Sequence, residues 1–287
     1  MSLDLSADGL TIGLILVSAV LHASWNALSK ASGDPLISIT IIMATGGVCG
    51  LPLMIWFPLP GPETWRWLLL SACIHYAYQL SLIRAYQLGD LSQIYPIARG
   101  LAPLGVAFLA AMGAGESLAP GQIFGLALAA AAIVSLGASG TSGMVPGREV
   151  WLAVFTAVMI GAYTYSDGRG VRSVDHAASF IGWSFFLGCV PMVLTTLIIR
   201  RRDDFAVLRQ HGPQAIAGGL MATFGYSIAL WALSRAPMAT VASLRESSVL
   251  FAAVIGTRFL GESFGRRRIV SAIVLVIGLI MVQLRSL

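Results

Sequence analysis

The sequence predicts an all-α integral membrane protein: ten transmembrane helices arranged as two inverted five-helix repeats around a central cavity. Three observations predict it. The 287-residue chain is 57% hydrophobic and 11% charged. A soluble domain is about a quarter charged, so these charges are too few to cover a globule of this size in water. Ten apolar runs follow one another, each near the roughly 20 residues a helix needs to cross a bilayer. Finally, a block recurs: Arg99 is followed sixteen residues later by Gly115-Glu116-Ser117, and Arg245 at the same spacing by Gly261-Glu262-Ser263, with 146 residues between the blocks.

The ten spans are read at 10–30, 36–57, 65–88, 92–113, 120–138, 150–170, 177–199, 214–235, 238–259 and 267–285. Turn-forming residues punctuate the short connections: Gly33-Asp34-Pro35, Pro58 to Pro62, Gly89-Asp90, Ala119-Pro120, Gly140 to Gly147, His211-Gly212-Pro213 and Ala236-Pro237. The runs are continuous and do not alternate, which excludes barrel strands. Small-residue spacings at Gly46-xxx-Gly50 and Gly121-xxx-Gly125 predict close helix approach. Pro52, Pro96, Pro103 and Pro191 fall inside spans, where local backbone breaks are tolerated if neighbours satisfy them.

Charge sets the expected topology. Arg66, Arg169, Arg172, Arg235 and Arg285 fall on the side of the N-terminus. Eleven basic residues fall on the other: Lys30, Arg84, Arg148, Arg200 to Arg202, Arg209, Arg258 and Arg266 to Arg268. The positive-inside rule then places both termini outside the cytoplasm of a cell inner membrane. The net charge of +5 thus reads as a topology signal and not as a nucleic-acid footprint. Met1 to Asp8 has no basic n-region, so no cleavable signal peptide is expected. Cys49, Cys73 and Cys189 lie singly inside apolar runs and predict neither disulfide nor metal.

The duplication extends past the opening blocks. Ser18-Ala19-Val20 resembles Thr156-Ala157-Val158, which aligns Trp25 with Tyr163. The repeats are drawn at residues 1–145 and 146–287. Five spans per half is an odd number, so the second half enters the bilayer in the opposite direction. Such inverted repeats typify secondary transporters, with the substrate near the midplane between them.

Motifs for other chemistry are missing. Lys30 lacks the glycines of a phosphate-binding loop, and no zinc-hydrolase, serine-hydrolase or paired-cysteine motif occurs. No cofactor and no metal are expected, and an enzyme is disfavoured. The polar residues inside spans are the candidate site instead, because burying them against lipid is costly. Span one carries His22, Trp25 and Asn26, and span three carries His75, Tyr78 and Gln79. At this i, i+3, i+4 spacing each trio shares one helical face. Each face is either a cavity wall or interhelical glue. Tyr95 and Arg99 in span four, and Arg245 and Glu246 in span nine, are ionisable or polar groups deep in the bilayer. Arg99 can hold a carboxylate through paired bonds, and Glu246 an ammonium or a proton. Alternatively, Arg245 and Glu246 belong to a structural charge network. Tyr163, Trp183 and Tyr226 are aromatic candidates for the same cavity, with packing or lipid contact as the alternative role. Asp167 and Arg169, near the end of span six, can form a gate. The Gly-Glu-Ser blocks are read as capping the next helix or fixing the turn, and are left out of the site.

Ten spans, a five-plus-five repeat and Gly-Glu-Ser after the fourth span of each half resemble the drug/metabolite transporter superfamily in its EamA-type exporter branch. Glu116 and Glu262 match the Glu that closes the fourth and ninth spans there. The resemblance implies export of small metabolites by alternating access, with amino acids, aromatic ones especially, as a frequent substrate class. Nucleotide sugars, drugs or cofactors are the alternative cargo. A lipid-modifying membrane enzyme is the remaining alternative, without a nucleophile–base pair to support it. The expected partners are an amino acid or related metabolite and the bilayer, with no nucleic acid. Ten spans suffice to enclose a path within a monomer.

Overall fold

The computed structural model describes residues 7–30, 34–88, 91–137, 147–200, 207–259 and 266–284. Among these, eleven helices carry the chain: α1 Gly9–Lys30, α2 Pro35–Trp56, α3 Pro62–Leu88, α4 Leu91–Ala114, α5 Pro120–Gly137, α6 Gly147–Val171, α7 Ala177–Ile199, α8 Val207–Leu233, α9 Met238–Arg245, α10 Ser248–Phe259 and α11 Arg266–Gln283. Five of them contain stretches long and apolar enough to cross a membrane by length and composition: Gly9–Leu28, Pro35–Trp56, Ile97–Ala114, Ala177–Ile199 and Gly212–Leu233.

Local chemistry fixes the helix ends. Asp8 accepts the Thr11 amide at 2.7 Å and so caps α1. That bond holds the exposed Asp8 carboxyl below its ordinary range. Asp34 caps α2 by accepting from the amides of Leu36 and Ile37 at 3.0 and 3.2 Å. Proline opens α2, α3 and α5, where its missing N–H costs nothing. Gly115 ends α4 at φ 67°, a left-handed conformation that lets the Glu116 amide turn back to the Ala110 carbonyl at 3.2 Å.

Two sequence expectations are corrected. The ninth segment, read as one span over 238–259, is two helices. At Glu246 and Ser247 the backbone tightens to i→i−3 bonds, Glu246 N–H to Ser243 O and Ser247 N–H to Leu244 O, before α10 begins. The junction Arg245-Glu246-Ser247-Ser248 is polar but short, and apolar residues flank it on both sides, so the segment reads as one span by length alone. The eighth segment, read from 214 with a turn at His211-Gly212-Pro213, begins at Val207, and Pro213 lies inside α8.

Large apolar side chains such as Ile55, Trp56, Met112 and Ile198 are exposed. So broad an apolar surface fits lipid and not water. The chain is a multi-pass integral membrane protein. Inside, α2 packs on α7, α1 on α8, α3 and α4 on α6, and α5 on α11. Glycine sets two close backbone approaches. A Cβ at Gly50 of α2 would lie 2.7 Å from the Gly182 carbonyl oxygen of α7, and one at Gly182 would lie 3.0 Å from the Gly50 oxygen. Gly125 of α5 and Gly278 of α11 oppose each other in the same way, at 2.8 and 2.6 Å. Without aqueous hydrophobic driving force between helices, such contact is what holds them. Gly50→Ala is therefore expected to destabilise the protein by about 1–3 kcal/mol through overpacking. Thermal unfolding in detergent measures it, with Gly61→Ala as control, since nothing lies within 4 Å of a Cβ there. Equal melting of the two variants would refute the close-packing argument.

Candidate functional site

A cavity of about 100 Å³ lies between α1, α2, α3, α6, α7, α8 and α9. One water needs roughly 10–15 Å³ of such space, so the cavity has room for a small solute. Its walls carry eight of the thirteen candidates: His22, Trp25, His75, Tyr78, Gln79, Tyr163, Tyr226 and Arg245. Ser18, Met43, Phe185 and Thr223 complete much of the rest. Arg245, the last residue of α9, is seven residues past Met238. At about 1.5 Å per residue that is roughly 10 Å into the helix bundle.

The aromatic walls interlock. His75 stacks on Tyr163 with centroids 4.1 Å apart and planes at 21°. Tyr226 meets the His75 ring edge-on at 5.6 Å, and Tyr78 meets Tyr163 at 5.4 Å. Offset and edge-on pairs suit the aromatic quadrupole and fix these rings in place. On α1 the two polar neighbours turn toward His22: Trp25 Nε1 donates to His22 Nδ1 at 3.2 Å, and Asn26 Nδ2 donates to the His22 carbonyl at 2.8 Å. Trp25 keeps its place in the wall, whereas Asn26 does not line the cavity. On α3 the whole trio does, with Gln79 Nε2 3.4 Å from Met43 Sδ.

The two arginines of the repeat part company. Arg99 of α4 is 1% exposed and lies behind the wall. Its Nε is 2.9 Å from Glu246 Oε2, and its Nη2 donates to Ser248 Oγ at 3.3 Å. This pair pins α4 to the α9–α10 junction. Arg245 faces the cavity instead, 6% exposed, with its guanidinium 5.0 Å from the centre of the Tyr226 ring. Its Nε is buried with no hydrogen-bond partner among the described residues. The repeat explains the asymmetry. At the offset of 146, the counterpart of Glu246 is Gly100. A Cβ at Gly100 would already lie 3.1 Å from the Ala130 carbonyl and 3.2 Å from Val134 Cγ2, so α5 packs where a carboxylate would stand. Arg99 has its acid, and Arg245 does not.

Trp183 sits outside the lining, edge-on to Trp65 at 4.8 Å. The Tyr95 position falls within α4, but its side chain lies outside the described residues.

Asp167, read from the sequence together with Arg169 as a candidate gate, lies behind the cavity wall. It is 0% exposed. Its Oδ2 accepts from the Tyr226 hydroxyl at 2.5 Å and lies 3.0 Å from His75 Nε2, while Ser71 Oγ donates to Oδ1. Two wall residues thus rest on one buried carboxylate. Arg169, two residues on, points elsewhere and donates to the Gly113 carbonyl and, at 3.2 Å, to the Tyr165 hydroxyl.

Glu116 does cap a helix, but not the next one. Its Oε2 accepts the Met238 amide of α9 at 2.8 Å, and its Oε1 pairs with Arg172 Nη1 at 2.6 Å. Arg172 also donates to the carbonyls of Leu233 and Ala236 at 2.8 and 2.7 Å. The connections after α4, α6 and α8 are thereby tied together at one end of the bundle. Gln122 takes the local role before α5, accepting the Ala119 amide at 3.1 Å. Glu262 lies outside the described residues.

Comparison with known proteins accords with this arrangement. Residues 147–284 match the EamA-like transporter family. A solved structure described only as "Crystal structure of protein" superposes with a TM-score of 0.76, covering 96% of this chain and 96% of its own at 15% identity. That identity shows a shared fold alone. No curated protein matches the chain. The second half of the chain, residues 147–284, is thus an EamA-like transporter family domain, consistent with the drug/metabolite transporter superfamily, and it shares with the first half a cavity sized for a small solute.

Proposed function

We propose that the chain exports amino acids, aromatic ones included, by alternating access between two inverted five-helix repeats at residues 1–145 and 146–287. The observation that carries the substrate class is Arg245: a buried guanidinium on the cavity wall, without an anionic partner among the described residues, surrounded by aromatic rings. A carboxylate would satisfy it, and an aromatic side chain would pack on Trp25, Tyr78, Tyr163 and Tyr226. Arg99 and Glu246 support that wall from behind. Nucleotide sugars are the weaker reading, because Arg245 is the one Lys or Arg among the lining residues and a diphosphate calls for more.

Helix pairing supports the inverted repeat. Exchanging first-half helices for second-half ones turns α1 on α8 into α6 on α3, and both pairs are extensive, while α2 on α7 and α5 on α11 map onto themselves. Ser18 Oγ bonds the Gly225 carbonyl of α8 at 2.6 Å, and its repeat counterpart Thr156 Oγ1 bonds Ser81 Oγ of α3 at 3.1 Å. The excess of basic residues opposite the N-terminus favours an inner-membrane orientation with both termini outside the cytoplasm. One chain encloses the cavity, so a monomer suffices.

Purified protein in liposomes is expected to give saturable, time-dependent uptake of radiolabelled L-phenylalanine above empty liposomes. Absence of saturable flux for every member of an amino-acid panel would defeat the proposal.

A further inference from the structure

We propose that Asp167, His75 and Tyr226 form a proton-binding site whose proton is exchanged for the ammonium group of the substrate, making the carrier a proton antiporter. For its ligand this rests on the amino-acid reading above; the acid site itself does not.

Asp167 is fully buried on α6, and its side-chain partners among the described residues come from other helices: Ser71 and His75 of α3, and Tyr226 of α8. A carboxylate removed from water must be neutralised by a proton or balanced by a cation. His75 Nε2 lies 3.0 Å from Oδ2, so one proton shared by the pair resides on either atom. Both His75 and Tyr226 line the cavity, whereas Asp167 stands directly behind them. The acid is thus within electrostatic reach of a solute without touching it.

Among the described residues, the other ionisable groups around α6 and this cavity include Tyr78 of α3, edge-on to Tyr163, and His22 of α1, which accepts from Trp25 Nε1. From α9, Arg245 lies over the Tyr226 ring. Arg99 of α4 and Glu246 balance each other. Tyr163, on α6 itself, stacks on His75. Arg169 turns to Gly113 and Tyr165. From α7 the titratable group is Cys189, whose thiol donates to the Phe186 carbonyl.

Two charge states follow. With the pair protonated, Arg245 leaves the cavity with a net positive charge. With the pair deprotonated, Arg245 over the face of the Tyr226 ring and the carboxylate at the Tyr226 hydroxyl supply one positive and one negative centre, which complements a zwitterion. Binding an amino acid therefore favours loss of the proton. In the exchange one N–H or O–H bond of the pair breaks, the proton passes to water, and the substrate ammonium balances the carboxylate. No electrons are transferred. By linkage, protons weaken substrate binding by the same factor that substrate weakens proton binding.

The test uses the full chain in detergent with L-phenylalanine as probe, an indicator dye in weak buffer, and titration calorimetry. Wild type is expected to release up to about one proton per L-phenylalanine bound, with Kd weakening about tenfold per pH unit once the pair is protonated. Asp167→Asn is expected to bind with a Kd independent of pH and to release no proton. His75→Gln, which does not alter the acid, is expected to shift or abolish the release, and it replaces Asp167→Asn if that variant does not fold. Wild-type binding that is flat between roughly pH 5 and 8, without proton release, would overturn the proposal, as would release unchanged in both variants. If L-phenylalanine does not bind at all, the amino-acid reading fails and the acid site is judged without ligand. Infrared titration should then show a carboxyl band in wild type that Asp167→Asn lacks, and identical titrations would overturn the site.

Discussion

Arg245→Gln is expected to lower L-phenylalanine affinity by roughly 10- to 150-fold, which corresponds to the ~1.5–3 kcal/mol of a charge-assisted hydrogen bond. The reason lies in what the side chain lacks. Stripping water from a guanidinium costs several kcal/mol unless partners replace it. Tyr226 supplies part of the compensation through its ring face at 5.0 Å. Cation–π contact of this kind contributes up to about 2 kcal/mol in a dry site. The Arg245 Nε has no acceptor among the described residues, and a carboxylate offers two oxygens that match the guanidinium fork. Arg245→Lys keeps the charge without the planar fork, so an intermediate loss is expected. Because wild type already bears the desolvation of an unpaired cation, Arg245→Gln should melt within about 1 kcal/mol of it. Calorimetric Kd values and detergent melting curves measure both effects. Undiminished L-phenylalanine binding by Arg245→Gln would remove the basis for a carboxylate-bearing substrate.

How legible this site was depends on which kind of signal each residue carried. His75, Tyr78 and Gln79 were readable because helical periodicity alone puts them on one face, and burying three polar groups toward lipid is prohibitive. The same argument found His22 and Trp25 but placed Asn26 with them, and its amide bonds its own helix instead. Asp167 and Arg169 show the limit. They are two residues apart, so helix geometry sends them in different directions. Which of the two turns inward is decided by Ser71, His75 and Tyr226 on helices far away in sequence. The arginines are a sharper case. Their repeat positions are equivalent, and only tertiary packing shows that Glu246 reaches across to Arg99 while Gly100 leaves Arg245 without a counterpart acid. The tightening at Glu246 and Ser247 was equally hidden, since Ser-rich sequence in a membrane helix is compatible with a continuous span. The apolar segments themselves were plain, because run length and turn residues are local.

The pair behind the wall has a different expected signature from Arg245. Glu246→Gln preserves shape and leaves Arg99 buried at 1% exposure without its counter-charge. Breaking a buried pair from one side typically costs about 3–5 kcal/mol, because the stranded charge keeps its full desolvation penalty. A large fall in melting temperature is expected for the single variant. Removing both charges, as in Arg99→Met with Glu246→Leu, leaves no stranded ion, and most of that stability should return. Binding separates the structural role from the substrate role. If Arg99 and Glu246 serve to hold α4 against the α9–α10 junction, the double variant should bind L-phenylalanine within a few-fold of wild type, whereas Arg245→Gln should not. A double variant that is stable but cannot bind would instead assign the carboxylate to Arg99. One that melts as low as Glu246→Gln would show that the hydrogen bond to Ser248, and not charge balance, holds the junction. The contrast rests on a single difference in sequence. One arginine of the repeat faces a glutamate across the bundle; the other faces the cavity, and the position that matches the glutamate is Gly100, packed against α5.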